Sequence, residues 1–385
     1  MTLAEVFCRH GPAVLAKHVL SSAKAKVWRA IVACRTAILG GHVETCDGCG
    51  VTRHVYHSCR NRHCPQCQTR AKEHWLAKRR QELLPVAYFH LVFTLPHVLH
   101  ALIGQRPRVI YEMLFGAASA TLTEFGANPR WLGGKLAFSL VLHTWKQDLG
   151  RHVHVHALVA GGALTRAGEW RSPKRGFLFP VKALSRVFRG KFMTALSEAR
   201  GSGQALAEAL ADEKVWRALR QPLLTHDWVV YAKQPLGGPE QVLEYLGRYT
   251  HRVAISNERL VGMDATTIRF RVRARPGKRV LQVPAEAFID RFLLHVLPSG
   301  FKRIRHYGLL APAAKATHLA LARQALSVPE PDPVITATVE EFMQRIGRAE
   351  WARCPHCHEG RFVPTAAIPP RRPATQKSVA VRGPP

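Results

Sequence analysis

Three histidines alternate with apolar residues between positions 151 and 160. Because successive side chains of a β-strand point to opposite faces, His152, His154 and His156 would share one face, and Val153 and Val155 would share the other. Imidazoles arranged in this way can bind one metal ion. Mg²⁺ or Mn²⁺ bound there would keep coordination positions open for the oxygens of a phosphate. The same alternation is also typical of a strand whose polar face meets solvent.

Two tyrosines, Tyr245 and Tyr249, follow about ninety residues later, four positions apart. On the helix predicted for this segment, that spacing places both phenols on one side. Arg248, His251 and Arg252 adjoin the pair, and such cations can bind phosphate beside a phenol. A phenol needs activation by a metal or a base to act as a nucleophile at neutral pH, and the histidines would supply it. The two motifs together predict phosphodiester transfer through a phosphotyrosine; the alternative is that both rings pack in a core.

Six of the nine cysteines lie in Cys-x-x-Cys pairs, a usage typical of zinc sites in a reducing compartment rather than of disulfides. Cys46 and Cys49 are separated by fourteen residues from Cys64 and Cys67. Two pairs at this separation predict one tetrahedral thiolate site with a structural Zn²⁺. Two cysteines stand alone and are interpreted as small buried hydrophobic residues, Cys8 and Cys34.

Four further residues are candidates for a second structural zinc site. Cys59 and His63 lie inside the loop between the two N-terminal pairs, and Cys354 and Cys357 form a third pair without an obvious partner pair. Because half sites rarely stay unpaired, we expect these distant residues to contribute to a second zinc ion.

The composition points to a nucleic-acid partner. The formal net charge is +30, from 56 Lys and Arg against 26 Asp and Glu, and the pI is about 10.6. Alternating arginines along one predicted strand would form a basic rail for phosphates: Arg269, Arg271, Arg273 and Arg275. We find neither an apolar run long enough for a membrane span nor a signal-peptide core, so we expect a soluble, cytoplasmic protein without a membrane partner.

Hydrophobic periodicity predicts an α+β chain. A helical lead-in and zinc-binding region would occupy residues 1–84. A strand–helix–strand–hairpin–strand order then begins a domain over residues 85–310. A helical insertion near 163–225 would start once Gly161 and Gly162 end the histidine strand, with helices near residues 182–199 and 205–219. A helical segment with the last Cys-x-x-Cys pair would span 311–364, and the polar, proline-rich tail over 365–385 is expected to be disordered.

These segments resemble the rolling-circle transposases of the insertion sequence 91 family, two-tyrosine members of the HUH endonuclease superfamily. The resemblance covers most of the chain and is carried by residues 58–67, 92–97, 143–156, 245–257 and 301–308. It implies an antiparallel-sheet nuclease domain flanked by helices, with a small N-terminal zinc-binding domain. It also implies that His154 and His156 are the metal-binding pair, that His152 is a dispensable neighbour, and that Tyr245 and Tyr249 are the nucleophiles.

The resemblance further implies a bacterial, nucleoid-associated enzyme that acts on single-stranded DNA at transposon ends and at the target. No Gly-x4-Gly-Lys-Ser/Thr motif occurs, so a host helicase or the replication machinery would unwind the DNA. We offer Gln147 as a third metal ligand if the hairpin aligns its side chain beside His154. The alternative is that Gln147 is only a residue of the turn. Two alternatives remain open: a plasmid replication initiator or relaxase with the same chemistry, and a non-catalytic zinc-dependent DNA-binding protein.

Overall fold

The structure is a computed structural model. It describes residues 1–174, 176–201, 206–232, 241–242, 247, 254–273, 277–331, 338, 341, 343–344 and 349–371. The strands are, in chain order, β1 (Gly41–Cys46), β2 (Thr52–Tyr56), β3 (Tyr88–Thr94), β4 (Gly134–Trp145), β5 (Arg151–Thr165), β6 (Trp170–Arg171), β7 (Val230–Ala232), β8 (Leu260–Met263), β9 (Thr267–Arg273), β10 (Lys278–Pro284), β11 (Ile304–Gly308) and β12 (Phe362–Ile368).

The α-helices are, in chain order, α1 (Leu3–Lys17), α2 (Ser22–Ala33), α3 (Gln68–Arg80), α4 (His100–Gln105), α5 (Pro107–Ala127), α6 (Val181–Gly201), α7 (Glu213–Thr225), α8 (Ala285–Leu293) and α9 (Lys315–Ala325). Helix α5 begins with proline, whose missing N–H costs nothing at that position. Helix α7 begins after Asp212, whose carboxylate accepts hydrogen bonds from the backbone N–H groups of Lys214 and Val215. Among the described residues, none of the helices is both long and apolar enough to cross a membrane.

A central antiparallel sheet positions the histidines. Its strand order is β11-β4-β5-β3-β7, and β6 pairs with β5. The face that bears Val153, Val155 and Val159 packs against α5 and α6 in the largest apolar cluster among the described residues. The opposite face, which carries the alternate residues of β5, contacts α3, α9 and Val242. The expected α+β class with antiparallel pairing is confirmed.

A second sheet, β10-β9-β8, joins the N-terminal helices to the C-terminal part of the chain. Phe7 of α1 stacks on Trp28 of α2 with 4.4 Å between ring centroids, and Phe7 also contacts Phe292 of α8 edge-on. These rings belong to the same apolar cluster as Phe270 of β9 and the buried thiol of Cys64. The helical lead-in is therefore part of a shared core.

Three boundaries expected from the sequence are wrong. The histidine strand does not end at Gly161 and Gly162 but continues to Thr165, because β6 pairs with its end. Gly162 allows this, since a Cβ at that position would lie 2.4 Å from the indole nitrogen of Trp170. The helix expected over residues 205–219 is α7, which begins at Glu213.

The third wrong boundary concerns the tail. Disorder was expected from residue 365, but Phe362–Ile368 forms β12 and pairs with β1 over its whole length. The zinc-binding region consequently contains a three-stranded sheet of order β12-β1-β2, which is built from an N-terminal and a C-terminal segment of the chain. Sequence patterning missed this strand because its pairing partner lies more than 300 residues away.

Candidate active site and metal centres

Three histidines converge on the sheet face opposite the largest core. His154 and His156 lie on β5, and His143 lies on β4 directly across from His154 in the antiparallel register. All three side chains are buried. His156 Nε2 lies 3.1 Å from His154 Nε2 and 3.1 Å from His143 Nδ1. Each imidazole therefore directs one nitrogen to a common point.

The spacing of these nitrogens fits a divalent ion. Ligands at roughly 2.1 Å lie about 3.0 Å apart in adjacent octahedral positions and about 3.4 Å apart in a tetrahedron, and the two distances of 3.1 Å are near both values. Three imidazoles fill half of an octahedron and leave positions for water and phosphate oxygens.

The second ring nitrogens of the β5 histidines have partners that orient the rings. His154 Nδ1 lies 3.0 Å from the carbonyl oxygen of His152, and His156 Nδ1 lies 2.8 Å from His90 Nε2 on β3. When Nδ1 donates in each case, Nε2 keeps its lone pair for a metal. Burial, followed by the positive charge of His152, lowers the pKa of His154 to about 4. The His154 imidazole is therefore neutral at physiological pH, as a metal ligand must be.

Sequence reasoning offered Gln147 as a third ligand and missed His143. Gln147 lies in the turn beyond the Trp145–Arg151 pair, where its backbone oxygen accepts a hydrogen bond from Arg259. His143 lies across from His154 and joins the converging nitrogens, so it is a further candidate ligand. His152 is not among the three converging histidines, although its ring centroid lies 4.8 Å from that of His154 and 6.0 Å from that of His97. The signal for His143 was the hairpin register, which fixes which residue of β4 faces β5.

The expected nucleophiles and their cationic neighbours lie outside the described residues: Tyr245, Tyr249, Arg248, His251 and Arg252. Two described residues flank Tyr245 in the sequence. Val242 packs in the apolar cluster that contains Leu158, two residues beyond His156 on the same face of β5. Gly247 lies against α3, where a Cβ would be 2.7 Å from Lys72 Cε and 3.1 Å from Leu76 Cδ1.

The cysteines form two separate four-thiol clusters. The first contains Cys34, Cys59, Cys64 and Cys67, with 3.4 Å between the Sγ atoms of Cys34 and Cys67 and 3.6 Å between those of Cys59 and Cys67. It lies between the end of α2 and the start of α3.

The second cluster joins the two ends of the chain. Cys46 and Cys49 meet Cys354 and Cys357, with 3.7 Å between the Sγ atoms of Cys46 and Cys357 and 3.7 Å between those of Cys49 and Cys354. The β1–β12 pairing brings these segments together. Gly360 contributes by its lack of a side chain, since a Cβ there would lie 2.4 Å from the sulfur of Cys46.

Both clusters fit structural zinc. Four thiolates at about 2.3 Å from a tetrahedral zinc ion lie about 3.8 Å apart, near the Sγ–Sγ distances observed. In each cluster some thiols ionise more readily than others. Hydrogen bonds from the thiols of Cys59 and Cys64 lower the pKa of Cys34 to about 7, and backbone N–H groups of Glu359 and Gly360 lower the pKa of Cys357 to about 6. The hydrogen bond with Cys34 instead raises the pKa values of Cys59 and Cys64 well above the ordinary range. Zinc binds the thiolate, so each lowered pKa favours loading.

The expected pairing of cysteines needs correction. Cys46 and Cys49 do not share a site with Cys64 and Cys67, because each pair closes a cluster with other cysteines. Cys34 is a cluster member rather than an isolated hydrophobic residue. No sequence spacing revealed this, since Cys34 has no neighbouring cysteine and reaches the first cluster through the packing of α2. Cys8 is exposed, so the prediction that it is buried is wrong.

The remaining candidates divide between the two clusters, with one exception. Cys59 belongs to the first, and Cys354 and Cys357 belong to the second. His63 belongs to neither, and burial together with the charges of Arg62 and Arg303 lowers its pKa to about 3. His63 is therefore a neutral, half-buried residue beside the first cluster.

The basic rail lies on the outer face of the second sheet. Along β9 the residues Arg269, Arg271 and Arg273 are exposed, while Ile268, Phe270 and Val272 are buried. Arg275 lies outside the described residues. A link runs from the rail to the histidine hairpin, because Arg259 donates hydrogen bonds to the backbone oxygens of both Arg271 and Gln147.

Comparisons with known proteins match two regions of the chain. Residues 6–95 match the family profile described as "Transposase zinc-binding domain", and residues 137–317 match the one described as "Putative transposase". The chain is 45% identical over 374 residues to "Putative transposase y4qJ" of Sinorhizobium fredii, covering 94% of each chain.

A more distant relative extends the comparison. The chain is 28% identical over 349 residues to "Transposase for insertion sequence element IS801" of Pseudomonas savastanoi pv. phaseolicola, covering 88% of this chain and 82% of that one. No solved structure matches the chain. Of the eight clustered cysteines, all except the C-terminal pair lie within the match to the zinc-binding profile. All three converging histidines lie within the match to the "Putative transposase" profile.

Proposed function

Because the chain belongs to the insertion sequence 91 family of transposases, we propose that it nicks single-stranded DNA at the ends of its element and mediates rolling-circle transposition. Transposition requires breaking and joining of DNA strands, and the net charge of +30 suits a DNA substrate. The observation that carries the proposal is the convergence of three imidazole nitrogens on the sheet face where Val242 packs. Tyr245 is three residues from Val242 in the sequence.

In the proposed step, a tyrosine phenol attacks the phosphorus of the scissile phosphate. A bond forms between the phenolic oxygen and phosphorus, and the bond from phosphorus to the 3′ oxygen breaks. The proton of the phenol passes through solvent to the departing 3′ oxygen, so the products are a 5′-phosphotyrosine and a 3′-hydroxyl. No oxidation or reduction is involved. Two tyrosines permit a second cleavage before the first link is resolved.

The residues around the histidines have defined parts in this chemistry. His143, His154 and His156 would hold Mg²⁺ or Mn²⁺, which when bound polarises the phosphate and favours the phenolate. His90 and the carbonyl of His152 fix the orientation of the β5 imidazoles. We place the phosphate-binding role for the DNA backbone on the rail of β9.

The zinc clusters have a structural part. The four sulfurs of each cluster would complete a tetrahedron around its zinc ion, so no coordination position would remain for a substrate. The finer partners and location follow from the proposed chemistry: single-stranded DNA at the element ends and the target, a host helicase or replication machinery to unwind it, and a nucleoid-associated site in the bacterial cytoplasm.

A cleavage assay on single-stranded oligonucleotides tests the proposal. Oligonucleotides that carry candidate element ends are incubated with the full chain in Mn²⁺, in Mg²⁺ and in EDTA. We expect a protein–DNA adduct that resists denaturation, requires the metal, and is lost in the Tyr245→Phe/Tyr249→Phe double variant. An equal adduct yield in EDTA or in the double variant would overturn it. A chain that binds DNA tightly and never cleaves would instead be a zinc-dependent DNA-binding protein.

A further inference from the structure

Five basic side chains adjoin the three converging histidines, and we call them the basic cluster. Its members are His97, His100, Lys146, Arg151 and His152. The first two follow strand β3, and the other three lie at or beside the turn of the β4–β5 hairpin. The pairing of β3 with β5 brings the two segments together, and just beyond β3 the N–H of Leu95 donates to the carbonyl oxygen of Val153 at 2.9 Å. The cluster is therefore built on the strands that carry the metal site.

Imidazole rings connect the basic cluster to the converging histidines. The ring centroid of His152 lies 4.8 Å from that of His154 and 6.0 Å from that of His97. The ring of His97 in turn lies 4.8 Å from that of His100. Phosphates on one strand of B-DNA follow each other about 3.4 Å apart along the helix axis. On this scale, one phosphate can meet the metal while a neighbouring phosphate meets the cluster.

The charges of the basic cluster are positive and close together. Burial, followed by the positive charges of the other four members, lowers the pKa of His100 to about 4. Arg151 also donates a hydrogen bond to the carbonyl oxygen of His100. Lysine and arginine are fully charged at physiological pH. Such a set of charges disfavours a second metal ion and favours an anion.

The acidic residue of the same hairpin turn has other partners. Asp148 Oδ1 accepts a hydrogen bond from the N–H of Gly150 at 2.9 Å, and the charge of Asp148 acts on His295. Within the described part of the chain, the charges that act on His100 include no acidic residue. The positive charge of the cluster is thus available to a ligand.

Two ring nitrogens of the basic cluster point to a ligand. Among the described residues, neither the buried Nε2 of His100 nor the buried Nδ1 of His152 has a hydrogen-bond partner. Buried polar groups of folded proteins are nearly always hydrogen-bonded, so such exceptions indicate a partner from outside the chain. His97 and Lys146 are exposed, which gives a ligand access from solvent.

We propose that the basic cluster binds the backbone phosphate next to the scissile phosphate and so positions the DNA strand at the metal site. This proposal rests on the proposed function and adds a substrate contact to it. Lys146 and Arg151 would supply charge, and the imidazoles would donate N–H groups to the phosphate oxygens. The cluster acts beside the converging histidines, whereas the rail lies on the second sheet.

A methylphosphonate scan of the DNA tests this contact. In a single-stranded oligonucleotide that carries candidate element ends, each phosphate in turn is replaced by an uncharged methylphosphonate, and binding to the full chain is measured in EDTA. We expect replacement of one phosphate to weaken wild-type binding about tenfold, the value of one charge-assisted contact. Lys146→Gln/His97→Gln should bind the unmodified DNA about tenfold more weakly and should lose less than about twofold on the same replacement, because the contact is already absent.

A matched control removes one lysine and one histidine elsewhere. Lys214→Gln/His54→Gln changes exposed positions of α7 and β2. It should bind the unmodified DNA like the wild type and should still lose about tenfold on replacement of the sensitive phosphate. The thermal stability and Mn²⁺ affinity of Lys146→Gln/His97→Gln should equal those of the wild type. These two measurements separate a lost phosphate contact from damage to the fold or to the metal site.

Three results would overturn the proposal. The first is an equal loss in the wild type and in Lys146→Gln/His97→Gln at every replaced phosphate. The second is a Mn²⁺ ion that the wild type binds in addition to the one at the converging histidines and that this variant loses, because the cluster would then be a metal site. The third is a sensitive phosphate remote from the one cleaved in Mn²⁺. The expected scan without any covalent adduct would support the contact and contradict the proposed function instead.

Discussion

His143 Nδ1 lies 3.1 Å from His156 Nε2, although the two residues are thirteen positions apart and lie on different strands. The antiparallel register of β4 and β5 creates this contact by setting His143 opposite His154. The hairpin thus converts a two-histidine strand motif into a three-nitrogen site. A metal bound there would depend on both strands.

The first prediction follows from this relationship. His143→Ala should reduce metal-dependent cleavage by at least about 100-fold, the same loss as His154→Ala or His156→Ala, because each removes one of three protein ligands. His152→Ala and Gln147→Ala should have much smaller effects. Titration with Mn²⁺ followed by electron paramagnetic resonance measures the bound ion directly. Wild-type Mn²⁺ affinity in His143→Ala would contradict the three-histidine site.

A second prediction concerns the number of zinc ions. The purified chain should contain two, and Cys34→Ser and Cys354→Ser should each contain one, because the variants disrupt different clusters. Elemental analysis with the exposed Cys8→Ser as control checks this. A single zinc in the wild type, or two in Cys34→Ser, would disprove the two-cluster arrangement. Structural zinc supplies on the order of 10 kcal/mol, so both variants should also melt at lower temperature.

The third prediction is a pH dependence of stability from His306. Burial, followed by the charges of Arg79 and Lys315, lowers the pKa of His306 to about 4, below the ordinary value of 6.5. Between these values the unfolded state binds more protons than the folded state, so the free energy of unfolding falls as the pH falls from 6.5 to 4.

Replacing the histidine checks that assignment. His306→Gln should reduce the slope of stability against pH in this window by up to roughly 1.4 kcal/mol per pH unit, the contribution of one proton. Urea unfolding at several pH values measures the slope, and His54→Gln, at an exposed position of β2, is the control for loss of a surface histidine. An unchanged slope in His306→Gln would show that other groups carry the pH dependence.

The sequence predicted local features well and distant partnerships poorly. Alternation placed His152, His154 and His156 on one strand face, because this period is a local property of strands, and the family resemblance singled out His154 and His156. The shared helix face of Tyr245 and Tyr249 stays a prediction, because both residues lie outside the described part of the chain. Spacing also identified the Cys-x-x-Cys pairs as zinc-binding.

The remaining features depend on tertiary contacts. The position of His143 depends on the β4–β5 register, and the position of Cys34 depends on the packing of α2. The second cysteine cluster forms because β1 pairs with β12. Proline-rich composition suggested disorder for the tail, but strand pairing overrides that tendency as far as Ile368. Register and long-range pairing are set by the whole core, so a single sequence does not display them.

The fourth prediction tests the rail. Replacing Arg269, Arg271 and Arg273 with Gln should reduce the slope of log affinity against log salt on single-stranded DNA by about 2, since each lost phosphate contact is worth about 0.7. The metal requirement should not change. The control replaces three exposed basic residues on α6 and α7, Arg186, Lys214 and Arg220, with Gln. Equal slopes in the wild type and the rail variant would make the rail a solvated surface.

Identification of the residue that is covalently linked to the 5′ end of cleaved DNA is the most direct test of the proposed chemistry. The adduct formed in Mn²⁺ is digested with protease and nuclease, and the modified peptide is sequenced by mass spectrometry. We expect a nucleotide attached to Tyr245 or Tyr249. In each single Phe variant the nucleotide should be found only on the remaining tyrosine, and in the double variant no modified peptide should form. A nucleotide attached to any other residue, or an adduct of wild-type yield in the double variant, would contradict the account.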